Sequence, residues 1–100
     1  MAYDETLAER VRALLAGSEV SERNMFGTLG FMVDGSLAVS VRAEGLLVRV
    51  GTAGIDDAIE RGAVPAQMGK RVMKGWVHVM PRDDAELAAW IKTAVAARET

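Results

Sequence analysis

The chain is predicted to be an α+β domain in two layers, an antiparallel five-stranded sheet with its helices on one face. Three observations predict this. Apolar residues recur at helical spacing near both ends of the chain, and once more, briefly, after position 51. Between these stretches the pattern alternates with a period of two, as half-buried strands do. The alternating runs are joined by short turn sequences rather than by long crossovers, which favours antiparallel neighbours.

The elements follow in order. Leu7, Val11, Leu14 and Leu15 form one stripe, so a helix is expected over 4–16, starting near Asp4 and stopping at Gly17. The next stretch, RNMFGTLGFMVDGSLAVSVRAEGLLVRV, alternates. Asp34-Gly35 between apolar runs is a strong hairpin signal, because both central turn positions need positive φ. Ala43-Glu44-Gly45 supplies a second turn. Three strands are therefore expected, over 23–33, 36–42 and 46–50. TAGIDDAIERG reads as a short helix with Thr52 as its cap, with Ile55, Ala58 and Ile59 inward and Gly62 at its end. Pro65 then breaks the chain. AQMGKRVMKGWVHVM reads as a second hairpin turning near Gly69-Lys70 and running to Met80, with Gly75 marking a bulge or a close backbone approach. In the last segment Asp83, followed by Glu86, resembles a capping box. Leu87, Trp90, Ile91, Ala94 and Val95 form the inner stripe of the closing helix. The element order is α-β-β-β-α-β-β-α, read as a single domain over residues 1–100 without repeats or linkers.

Composition narrows the function classes. The net charge of −2 gives no global attraction to DNA or to anionic lipid. With no cysteine there is no disulfide, thiolate nucleophile or cysteine-based zinc site, which fits a cytoplasmic protein. The polar, acidic start does not read as a signal peptide. No apolar run approaches the roughly 20 residues a membrane-spanning helix needs.

Alternation also sorts the strands into two faces. Leu29, Phe31 and Val33, Leu37, Val39 and Val41, Leu46, Val48 and Val50, and Val77 and Val79 are expected beneath the helices. The other face carries Phe26, Met32, Leu47, Trp76 and Met80 beside Arg42, Arg49 and His78, with Gly30, Ala38 and Ser40 leaving space. So apolar a face reads as a partner surface for another protein or a second copy of the chain. A bulge at Gly75 would exchange Trp76 and Val77 between faces.

Four motifs, RNMFG (23–27), FMVDG (31–35), GLLVRVG (45–51) and MKGWVHV (73–79), resemble the N-terminal domain of the TfoX/Sxy family, which includes bacterial regulators of natural competence. They occur in order along nearly the whole chain. The resemblance implies the same α-β-β-β-α-β-β-α fold, a non-enzymatic role in transcription regulation through protein contacts, and no catalytic residues to carry over. The chain departs from the family at Val72, where a proline is expected before the methionine. The family's competence regulators carry a second, helical domain, for which 100 residues leave no room.

No chemistry-bearing constellation accompanies these motifs. His78 is the sole histidine and no pattern supplies it with a nucleophile or an orienting carboxylate, so it is expected to be a half-exposed strand residue. No catalytic, cofactor-binding or metal-ligating residues are assigned, and no cofactor is expected. Asp56-Asp57 and Asp83-Asp84 sit near helix starts, where carboxylates complement the macrodipole. GTAG lacks the lysine and spacing of a phosphate loop. The remaining candidate is local charge. Arg61, Lys70, Arg71, Lys74 and Arg82 occur in 61–82 without an acidic residue, Arg23, Arg42 and Arg49 are candidates to join them in space, and Lys70, Arg71 and Lys74 could bind an anion or nucleic acid. A hairpin edge guarded by cations against aggregation explains the same pattern, and no nucleic-acid motif accompanies it.

Overall fold

The computed structural model describes residues 3–17, 19–25, 27–68 and 70–97. Helix α1 spans Glu5–Leu14, β1 Val20–Met25, β2 Thr28–Val33, β3 Ser36–Val41 and β4 Leu46–Arg49. A 3₁₀ turn over Thr52–Gly54 leads into α2, Ile55–Glu60, and β5, β6 and α3 follow over Val64–Met68, Arg71–Val79 and Asp84–Ala97. The sheet is antiparallel throughout and has six strands, in the order β1-β2-β3-β4-β6-β5.

The sixth strand corrects the five-stranded expectation. The stretch read as one strand over 23–33 turns back on itself, and Met25 pairs with Thr28. Gly27 makes the turn with φ of 79°, a conformation glycine adopts without a steric penalty. The neighbouring Phe26 lies outside the described residues, so its expected place on the partner face is not described. The Asp34-Gly35 turn stands as read, both residues having positive φ.

The helix ends follow from capping. Asp4 accepts a hydrogen bond from the Leu7 amide at 3.1 Å, which satisfies one of the otherwise unpaired donors of the first turn of α1. Asp83 does the same for Glu86 at 2.9 Å. The Glu86 carboxylate bonds Arg82 at 3.0 Å. Thr52 does not cap α2. It lies within the 3₁₀ turn, and neither Gly51 nor Gly54, which precede the 3₁₀ turn and α2, offers a capping side chain.

One apolar cluster joins Leu7, Val11 and Leu15 near the N-terminus to Leu87, Trp90 and Ile91 of α3 and to the inward strand residues, with Phe31, Leu46 and Leu87 among the largest fully enclosed side chains. Helix α3 packs on β3 and β4, α1 packs on α3, and α2 packs on β5 and β6. Leu14 and Ile59, expected inward, are exposed, because α1 and α2 bury narrower stripes than their apolar residues span.

Two irregularities decide which residues share a face. Between β2 and β3 the register shifts, so that Phe31 pairs with Val39 but Met32 with Leu37. The additional residue in β3 exchanges the expected roles of Leu37 and Ala38. Ala38 joins the core cluster, and Leu37, opposite Met32, is half-buried. Between β5 and β6, Pro65 pairs with Val77 and Gln67 with Val72, so Ala66 faces the four residues Met73–Trp76. Gly75 lies in this excess with φ of 80°, and its carbonyl accepts bonds from the Val50 and Gly51 amides at 2.8 and 3.0 Å. The irregularity lies on the β5 side only, and toward β4 Trp76 pairs with Arg49 and Val77 with Val48 in unbroken register. Trp76 and Val77 therefore keep their expected faces.

Candidate functional site

Following the pairs across the sheet gives a row running Arg23, Gly30, Ser40, Leu47, His78 and Val64, on the side opposite Phe31, Val39, Val48 and Val77. Leu47 is only 7% exposed yet stands outside the core cluster. Arg49 and Trp76 pair beside this row at one end, next to Met32 and Leu37. Arg42 and Met80 lie toward its other end. Met80 is 64% exposed, while Met32, Arg42, Arg49, Trp76 and His78 are half-buried. Of the eight sequence-predicted face residues, Met32, Leu47, Arg49, Trp76 and His78 lie in paired strand positions, Arg42 and Met80 lie just beyond the paired residues of β3 and β6, and Phe26 is not described. Leu47 differs from expectation in depth: it forms the floor of this face.

His78 is held by the turn between β3 and β4. Its Nε2 lies 2.7 Å from the Glu44 carbonyl oxygen, and since a carbonyl only accepts, the ring donates from Nε2. Gly45 leaves the ring its space. A Cβ there would lie 2.6 Å from His78 Nε2 and 2.5 Å from the Val79 carbonyl oxygen. The position of His78 is therefore set by the backbone around it. Among the described residues no carboxylate is hydrogen-bonded to the ring.

The basic segment divides. Arg61 stacks over the Trp90 ring at 3.8 Å from its centroid and donates to the Thr93 hydroxyl at 2.9 Å. Arg82 is paired with Glu86. Lys70, Arg71 and Lys74 are exposed and join no ion pair among the described residues. Lys70 and Arg71 sit at the tip of the β5–β6 hairpin, whereas Lys74 lines a cavity of about 890 Å³ together with Arg49, Trp76 and Thr52. Sequence reasoning allowed Arg49 to join the basic residues of 61–82 in space, but it did not place Thr52 beside Lys74, which comes from a different element. Gly51 and Gly75, both with positive φ, were the signal that could have joined them, since they bring the two backbones together.

Among the described residues, no group of three histidine, cysteine or carboxylate side chains is placed to hold a metal ion. No helix is long and apolar enough to cross a membrane.

The folded order of elements agrees with the resemblance carried by the four motifs, with β1 added by the turn at Gly27. The family model for the TfoX N-terminal domain matches residues 12–98, which include all four motifs and every face residue named above. The chain belongs to the TfoX N-terminal domain family. No curated protein and no solved structure was found similar to it. The family and the fold thus stand on the match and on the topology, and membership supports a regulatory or competence-related setting for this TfoX N-terminal domain.

Proposed function

We propose that this TfoX N-terminal domain is a non-enzymatic, cytoplasmic regulatory module that acts through protein contacts, serving a transcriptional regulator or a second copy of itself. In this reading the three helices cover one face of the sheet and the opposite face receives the partner. The observation that carries it is Leu47, enclosed but outside the core between Ser40 and His78, on a side of the sheet that also holds the half-buried Trp76 and Met32 and ends near the exposed Met80. Such an arrangement keeps an apolar floor dry and presents large, partly exposed side chains at its margin, as interface centres do. Arg42 and Arg49 at the two ends would add orientation through charge.

The test is capture of partners from the native host, together with sedimentation of the purified chain, for wild type, Met32→Glu and Met80→Glu. Loss of a partner or of self-association in both variants, with unchanged melting, is the expected result. A chain that stays monomeric at high concentration and captures the same proteins in all three forms refutes the reading. Nucleic-acid binding by the whole 61–82 segment is the weaker alternative, because Arg61 and Arg82 are engaged within the chain.

A further inference from the structure

We propose that the cavity between Arg49, Lys74 and the end of α3 binds a small organic anion with a flat apolar body. This goes beyond the partner-face reading and does not depend on any protein partner, although Arg49 and Trp76 border both.

The cavity is large enough for a small ligand, at about 890 Å³. Its lining is of two kinds. One is cationic: Arg49 of β4 and Lys74 of β6 both line it, with Thr52 beside them. Among the described residues no carboxylate side chain lines it. Among the described residues neither cation takes part in an ion pair or a ring stack. Apolar surface is supplied by Trp76, the cross-strand partner of Arg49, and by Ala96 and Ala97 in the last turn of α3. Two cations lining a cavity with no countercharge among the described residues favour an anionic occupant, and the half-buried indole offers a flat surface for stacking.

The orientation of the occupant follows from the helix. The C-terminal turn of α3 carries the negative end of its macrodipole, which disfavours an anion beside Ala96 and Ala97. The charged head therefore lies toward Arg49 and Lys74 and away from the alanines, and the apolar body lies along Trp76. The backbone supports this division. The excess residues in β6 re-aim the chain at Gly75, and a Cβ there would come within 3.4 Å of Gly51, so the cavity wall is built at a close approach of two glycines. Bulges of this kind are over-represented beside binding sites. Phosphate monoesters and carboxylates share the required head-group chemistry.

The experiment is titration of the ¹⁵N-labelled chain with 1-naphthyl phosphate, 2-naphthoate and neutral 1-naphthol, following the Trp76 indole N–H and the Thr52 and Gly75 amides. Saturable shifts with either acid but not with naphthol are expected, and the tighter acid identifies the head group. Arg49→Gln and Lys74→Gln should each weaken binding about tenfold, the effect of losing one charge-assisted hydrogen bond. Met80→Glu, at the other end of the partner face, should leave binding unchanged, which separates this site from the protein interface. Absence of saturation with both acids at millimolar concentration would overturn the proposal. Equal binding of naphthol, or full affinity in the folded double variant Arg49→Gln/Lys74→Gln, would do the same.

Discussion

The imidazole of His78 occupies the space that a side chain at position 45 would need. Gly45 has φ of 85°, and a Cβ added to it would meet His78 Nε2 at 2.6 Å and the Val79 carbonyl oxygen at 2.5 Å. Only one of these obstacles can move, because a ring can rotate and the backbone of a paired strand cannot. Gly45→Ala is expected to cost about 2–4 kcal/mol, combining a left-handed backbone with an overpacked contact. His78→Ala in the same chain should recover part of that loss and never all of it. Denaturant midpoints for the two single variants and the double variant measure the coupling directly.

Gly75 provides the comparison. Its φ is 80°, but an added Cβ would come no closer than 3.4 Å to any neighbour, which is ordinary contact. Gly75→Ala should therefore cost only the backbone term, about 1–2 kcal/mol. A larger loss than in Gly45→Ala, read from urea melts, would mean that space rather than conformation limits position 75.

Leu47 and Met80 should respond in opposite ways although both belong to the proposed partner side. Leu47→Ala is expected to cost about 2–3 kcal/mol, because it empties an enclosed position. Leu47→Glu should unfold much of the population, since an unpaired carboxylate would be buried. Met80→Glu should leave the melting temperature nearly unchanged. Circular dichroism melts of the three variants decide this, and a stable Leu47→Glu chain would show that the floor is open to water.

Arg61 covers Trp90 and ties it to Thr93. Arg61→Ala should lower stability by about 1 kcal/mol, as expected for a cation over an indole with an exposed outer side. It should also shift tryptophan emission to longer wavelength as water reaches the ring. An unchanged spectrum would show that the cation is not the cover of Trp90.

The pair Arg12 and Glu22 links α1 to the edge strand β1, with Arg12 Nε and Nη2 donating to the two carboxylate oxygens at 2.5 and 2.8 Å. The Arg12 hydrogen bond holds the Glu22 carboxyl below the usual glutamate range. A depressed carboxyl pKa means that the stabilisation is complete above the unfolded value. It is lost as pH falls through the lower folded value. Both groups remain partly exposed, so the effect should be modest and reduced by salt. Glu22→Gln should therefore melt slightly below wild type at neutral pH and converge with it in acid. Divergence on acidification would contradict the pairing.

Much of the architecture was legible because its determinants are local. Asp34-Gly35 specifies a tight turn, Asp4 and Asp83 start helices, and the aliphatic strand residues alternate with the period the sheet requires. The turn at Gly27 was missed because the surrounding residues continue an extended pattern and one glycine does not announce a reversal. Leu37 was assigned to the core because a period of two assumes an unbroken ladder, and one additional residue in β3 changes its side. Alternation gives the side of a residue and not its depth. The enclosure of Leu47, and the half-exposure of Trp76 that makes the cost of its removal smaller than a fully enclosed tryptophan would imply, depend on neighbours distant in sequence. The meeting of Thr52 with Lys74 at one cavity has the same origin.

The uneven pairing of β5 with β6 has a consequence for how this chain could vary over time. Residues 76–79 are registered by β4, whereas Arg71 and Val72 answer only to β5. Strand β6 is in effect two ladders spliced at Gly75. Insertions or deletions in the distal hairpin should be absorbed at that splice, leaving Trp76 and His78 where they are. Length changes within β4 would have no such outlet and would displace the entire face.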